Sequence, residues 1–85
     1  MSYQILYDSQ PKKYLKRLEK DLVIRIVNKI GSTLSLHPIP SDAKPIVGEH
    51  GVYRFRIGDY RALYRVDYQQ EKVIIFKIDK RSRIY

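Results

Sequence analysis

This sequence predicts a two-layer α+β domain, with two helices packed on one face of an antiparallel β-meander, in the order β-α-α-β-β-β. Three observations carry that reading. Residues 52–66, VYRFRIGDYRALYRV, alternate apolar and charged side chains about a Gly58-Asp59 turn, the pattern of a half-buried β-hairpin. Leu22, Ile26, Ile30 and Leu34 recur at helical spacing and draw a single apolar stripe. Val73 to Asp79 then reads as one more strand. Helices with one apolar stripe and a sheet with one apolar face are buried most simply by stacking the helix pair on one side of the sheet.

Along the chain, Tyr3, Ile5 and Tyr7 alternate with Gln4 and Leu6 as a short first strand. Asp8 or Ser9 can cap the helix that follows, and Pro11 suits its first turn. Tyr14, Leu15 and Leu18 fall on one side of it, among Lys12, Lys13, Lys16, Arg17 and Lys20, which read as a solvated face. The second helix starts near Asp21, with Val23 and Val27 widening its stripe, and ends before His37-Pro38 because a residue preceding proline avoids the helical region. Ser35 to Gly51 is an irregular linker containing Pro38, Pro40, Pro45, Gly48 and Gly51.

In the hairpin, a two-residue loop pairs Ile57 with Tyr60. Arg56 then lies opposite Arg61, Arg54 opposite Leu63, and Val52 opposite Arg65. Tyr53, Phe55, Ile57, Tyr60, Ala62, Tyr64 and Val66 line one face, and Arg54, Arg56, Arg61 and Arg65 the other. Like charges directly opposite each other cost up to about 1 kcal/mol per pair, a cost that an anionic ligand would offset. For Ile74, Phe76 and Ile78 to join Tyr64 and Ala62 on the apolar face, the loop between the last two strands needs an odd number of residues. That register sets Lys77 beside Leu63 and Asp79 near Arg61. The face away from the helices is expected to stay open, with the arginines on it.

A chain of 85 residues makes one domain, spanning 1–85. At that size about 60% of the unfolded surface is buried, so the core is thin and any chemistry belongs on an open face or in a groove completed by a partner. Seventeen Lys and Arg against nine Asp and Glu give a formal charge of +8, which favours a polyanionic partner, nucleic acid first. The absence of cysteine excludes disulfides and thiolate metal sites. No run approaches the ~20 apolar residues of a membrane span, and MSYQILYDS lacks the basic and apolar regions of a signal peptide. The expected setting is therefore the cytoplasm, with no membrane partner.

The common catalytic motifs are missing: no cysteine nucleophile, GxSxG, P-loop or HExxH. His37 and His50 lie apart in the linker, and no metal or cofactor is expected. What remains is cationic and phenolic. Arg54, Arg56, Arg61, Arg65, Lys77, Lys80, Arg81 and Arg83 can reach one surface, with Tyr85 at the end. Guanidinium forks grip phosphates bidentately and stay charged.

The stretch YRFRIGDYRALYRV, the strand VIIFKI and the tail KRSRIY resemble the RelE/ParE superfamily of toxin–antitoxin toxins, RelE-type mRNA interferases above all. The resemblance covers essentially the whole chain and implies a RelE-like (microbial ribonuclease-like) fold. It implies a toxin that enters the ribosome, cuts mRNA there without a metal, and is neutralised by a cognate RelB-like antitoxin in a hetero-oligomer. In such cleavage the ribose 2′-OH attacks the adjacent phosphate and a 5′-OH leaves. By resemblance, Arg61 matches the arginine that clamps the phosphate, Arg81 the tail arginine that stabilises charge and serves the leaving group, and Tyr85 the tail tyrosine, a base or stacking platform. Arg54, Arg56, Arg65, Lys77, Lys80 and Arg83 are the implied RNA-binding residues. Arg54 and Arg56 stand where the best-known members carry lysines. Arginine stays protonated, so neither can be the general base; Tyr85, Lys77 or Lys80 would have to serve. Two other readings stay open: a ParE-like inhibitor of DNA gyrase, and a non-catalytic RNA-binding module of the same fold.

Overall fold

The structure, a computed structural model, describes residues 2–83, with side chains through Ser82. The elements run β1 (Gln4–Tyr7), α1 (Ser9–Leu15), α2 (Lys20–Leu34), β2 (Lys44–Pro45), β3 (Val52–Ile57), β4 (Tyr60–Asp67) and β5 (Lys72–Lys80), ending in a 3-10 turn, Arg81–Arg83. They form one sheet in the order β1-β5-β4-β3-β2. The expected meander β3-β4-β5 is its centre. β1 adds in parallel to β5, so the sheet is mixed, and two-residue β2 closes the other edge antiparallel to β3. Pro45 is tolerated there because an edge strand can spare one N–H.

Both helices lie on the same side of the sheet. The predicted stripe of α2 is buried as read: Ile26, Ile30 and Leu34 are inaccessible and pack with Phe55, Ile57, Ala62 and Tyr64 of the hairpin's apolar face. Tyr14, Leu15 and Leu18 pack half-buried against the same core. Asp8 occupies the N-cap position of α1, with extended backbone and no capping hydrogen bond from its side chain. Where β1 ends, the Gln10 side chain continues its role. Its amide donates to the Ile78 carbonyl at 3.1 Å and accepts from the Ile78 N–H at 2.9 Å, so this part of the β5 edge is satisfied by a side chain. Tyr64 spans the core and donates its hydroxyl to the Pro38 carbonyl at 2.8 Å, tying the linker down.

The β3–β4 register is the predicted one, with Arg56 opposite Arg61, Arg54 opposite Leu63 and Val52 opposite Arg65. Gly58 has φ +58 while Asp59 does not share a positive φ, the pattern of a type II′ turn with glycine first.

The β5 face assignment needs correction. Ala62 pairs with Ile78 and Leu63 with Lys77, but Tyr64 pairs with Ile75, so Phe76 is an extra residue in a β-bulge. Beyond the bulge the alternation is reversed. Val73, Ile75 and Ile78 are buried in the core, and Phe76 packs on the opposite face instead. The loop therefore has an even number of residues, 68–71, between paired Asp67 and Lys72. The bulge lets Ile78 and Ile75 both point inward although they are three residues apart.

The face away from the helices is also less open than expected. The linker folds back, with Ile46 N–H donating to Val52 O at 3.0 Å. It covers one end with a second small cluster, Ile46, Val52 and Leu63, against which Phe76 packs. Among the described residues no helix is long and apolar enough to cross a membrane.

Candidate functional site

The II′ turn and the strand alternation place Arg54 and Arg56 on β3 and Arg61 on β4 on the face away from the helices. The fourth arginine is delivered by the chain end. The Arg81 N–H donates to the Asp59 carbonyl at 2.7 Å, which folds the 3-10 turn back against the hairpin tip. Arg61 lies among the other three. Its guanidinium is held below its ordinary pKa, first by partial desolvation and then by repulsion from Arg54, Arg81 and Arg56. An arginine so placed stays charged at neutral pH, so the cluster stores repulsion that a bound anion would relieve. Arg56 is oriented by its own turn, its Nε donating to the Gly58 carbonyl at 3.2 Å.

Arg54, Arg56 and Arg61 open into a groove of about 530 Å³. One wall carries Arg54, Arg56, Gly58 and Arg61. The other carries Lys44 of β2, Lys29 of α2, and Ser41 and Asp42 of the linker. The groove thus turns around the β2 edge of the sheet towards the helix layer. Asp79 lies opposite Arg61 in the register, and its carboxylate accepts from the Lys80 N–H at 2.7 Å.

The remaining expected residues divide. Lys77 pairs with Leu63 and shares the arginine face. Lys80 pairs with Tyr60, a residue of the helix-side face, and lines a separate groove of about 380 Å³ with Asp59, Tyr60, Arg81 and Ser82. Arg65 sits at the covered end of the sheet, its guanidinium 4.6 Å from the Phe76 ring centre, so the structure does not bring it into the cluster. The Arg83 side chain and Tyr85 lie outside the described residues. Among the described residues no three His, Asp or Glu side chains converge as a metal site would require.

Lys29 and Lys44 are the residues that sequence reasoning missed. Lys44-Pro45 carries no strand alternation, and Lys29 looks like any lysine on the outer side of an amphipathic helix. Their shared groove exists only because β2 pairs with β3, setting Lys44 beside Arg54.

A cation-lined α+β domain with this topology is the architecture of the small toxins of toxin–antitoxin systems. The family model described as ParE toxin of type II toxin-antitoxin system, parDE, matches residues 5–85, and the chain belongs to that family. Toxin RelG of Mycobacterium tuberculosis is 30% identical over 86 residues, covering 100% of this chain and 98% of that protein. The archaeal RelE–RelB complex from Pyrococcus horikoshii contains a chain with TM-score 0.80 and 29% identity, covering 99% of this chain and 100% of that one. The RelBE2 toxin–antitoxin complex of Mycobacterium tuberculosis gives TM-score 0.80 and 28% identity, with 95% and 100% covered. The relatives are thus of RelE type, and the protein is a RelE-type toxin of a toxin–antitoxin system.

Proposed function

We propose that this toxin is a metal-independent endoribonuclease that cuts mRNA on the ribosome and so stops translation. The observation that carries the reading is Arg61 beside Arg54, Arg56 and Arg81, with the first three lining a groove. Four neighbouring guanidiniums suit a reaction in which negative charge builds on a phosphate. As the ribose 2′-OH attacks the adjacent phosphorus, the phosphorane gains charge on its non-bridging oxygens; the bond to the 5′ oxygen then breaks, leaving a 2′,3′-cyclic phosphate and a 5′-OH protonated from water. Arg61 grips the phosphate, and Arg54 and Arg56 hold the backbone beside it. Arg81, anchored to the hairpin tip, stabilises the developing charge near the leaving oxygen. A preorganised donor of this kind is worth about 100- to 1000-fold in rate.

The proton acceptor is not an arginine. Tyr85 is proposed for it, with the cations lowering the cost of a phenolate; an unperturbed tyrosine is only about one part in a thousand ionised at pH 7. Lys77 is the alternative acceptor on the same face. Arg83 and Lys80 are proposed to contact RNA outside the clamp, and the ribosome supplies the substrate positioning that this shallow face lacks. A RelB-like antitoxin is the proposed partner, as in the RelE–RelB and RelBE2 complexes of the relatives, and its acidic segment would neutralise the arginine face. The setting this requires is the cytoplasm.

Inducing the toxin in bacteria and mapping mRNA 5′ ends tests the reading. Codon-registered cuts on translated messages are expected, and they should vanish in the Arg61→Ala and Tyr85→Ala variants. Growth arrest with intact messages and DNA damage would instead support a ParE-like gyrase inhibitor, the second reading, which the family model's own description favours.

A further inference from the structure

The groove is larger than the arginine cluster needs. Its far wall is built from elements that take no part in the clamp, Lys44 on β2 and Lys29 on α2. Arg61, Arg54 and Lys44 lie on three adjacent strands, β4, β3 and β2. Neighbouring strands are about 4.8 Å apart, so the row of cations runs about 10 Å across the sheet, further than one phosphate group can span. Lys29 extends it from the helix layer, with its ammonium held 6.0 Å from the Phe55 ring centre.

We infer that Lys29 and Lys44 form a second phosphate subsite, which takes the backbone of single-stranded RNA as it leaves the clamp across the β2 edge. The inference rests on the reading of the protein as an RNA-cleaving toxin and adds the path of the substrate. Five cations face a single carboxylate, Asp42, along this groove. No aromatic ring lines it among the described residues, and an ammonium such as that of Lys29 or Lys44 has no flat face to stack on a base. The subsite therefore holds the backbone and is indifferent to sequence. Lys44 is exposed on a two-residue edge strand and Lys29 is exposed on the flank of α2 that meets the groove. Either can be replaced without disturbing the core.

The test uses full-length toxin, an uncleavable 2′-O-methyl RNA oligonucleotide, and the Lys29→Gln/Lys44→Gln double variant. Each phosphate contact to a single strand contributes about 0.7 to the slope of log affinity against log salt. The double variant should lose about twice that slope and bind more weakly at low salt. In ribosomal cleavage assays its KM should rise while kcat is retained. Unchanged slope and affinity would overturn the inference. So would a variant that keeps its RNA slope and loses antitoxin affinity, since the groove would then belong to the peptide. A wild-type protein that cuts no message sinks the proposed activity alone, because the salt slope is read without cleavage. Circular dichroism confirms that the variant is folded.

Discussion

The two ends of the sheet face away from the helices share strands β3 and β4 and their alternation, yet they are built in opposite ways. At the Gly58 end, Arg54, Arg56 and Arg61 line a groove, and Arg81 adds its charge beside them. At the Val52 end, the linker folds over Val52 and Leu63, Phe76 is turned outward by the bulge, and Arg65 lies on its ring. One end lines a groove with its cations, where an anion can reach them. The other uses its cation to cover an apolar patch, as a guanidinium over an aromatic face does. Alternation alone assigns all four hairpin arginines to one face. The surroundings of each arginine decide whether it lines the groove or covers the apolar patch.

Substitutions can break that comparison. The largest effect belongs to Arg61→Ala, which should lower message cleavage by about 100- to 1000-fold. Stability should stay within about 0.5 kcal/mol of wild type, because the change removes repulsion as well as contacts; mRNA 5′-end mapping and urea unfolding read the two effects separately. Leu63→Ala, two residues further along the same strand and opposite Arg54, should behave in the reverse way. It empties a site that is 3% exposed and should cost about 2–3 kcal/mol in urea unfolding, the low end for Leu→Ala in a small cluster. The pure protein, where folded, should retain cleavage. Arg65→Ala should lower stability by about 0.5–1 kcal/mol through loss of the Phe76 contact and leave cleavage close to wild type. A large cleavage defect there would make Arg65 part of the RNA path and erase the distinction between the two ends.

The helix-covered face offers the smallest and slowest-changing signal. The Tyr7 hydroxyl is buried with no hydrogen-bond partner, and burial pushes its pKa from 10.0 up to about 12. Burial raises the Tyr64 hydroxyl as well, with smaller contributions from Tyr53, Tyr68 and Asp42. A pKa raised by folding stabilises the native state while the phenol is protonated in both states, below the unfolded value. That contribution is lost as pH rises through the folded one. Urea midpoints should therefore be insensitive to these groups below about pH 10 and should fall steeply above it. Tyr7→Phe should reduce that fall. It should cost little at neutral pH, because it removes a hydroxyl that has no partner to lose.

Much of this architecture was legible in the chain. The Gly58-Asp59 turn and the alternation from Val52 to Val66 settle the hairpin register, because a one-residue slip would bury the arginines and expose Phe55 and Tyr64. The α2 stripe settles which side of that helix meets the sheet. The bulge was not legible. Ile74, Ile75, Phe76 and Ile78 form an apolar run in which either alternation is locally acceptable, and only the simultaneous demands of Ala62 and Tyr64 on the neighbouring strand select the break. The parallel pairing of β1 with β5 joins the two ends of the chain, and no local pattern encodes such a contact.

The same division runs through the candidate site. Arg54, Arg56 and Arg61 are brought together by a local hairpin, so sequence alone determined their common face. Arg81 joins them through one backbone hydrogen bond to Asp59, Lys44 through a two-residue edge pairing, and Lys29 by the docking of a helix. Only the tertiary structure decided those positions, and with them the extent of the groove. The physical reason is range: side-chain periodicity is a property of neighbours in sequence, whereas a groove is enclosed by elements that meet only after the core has closed.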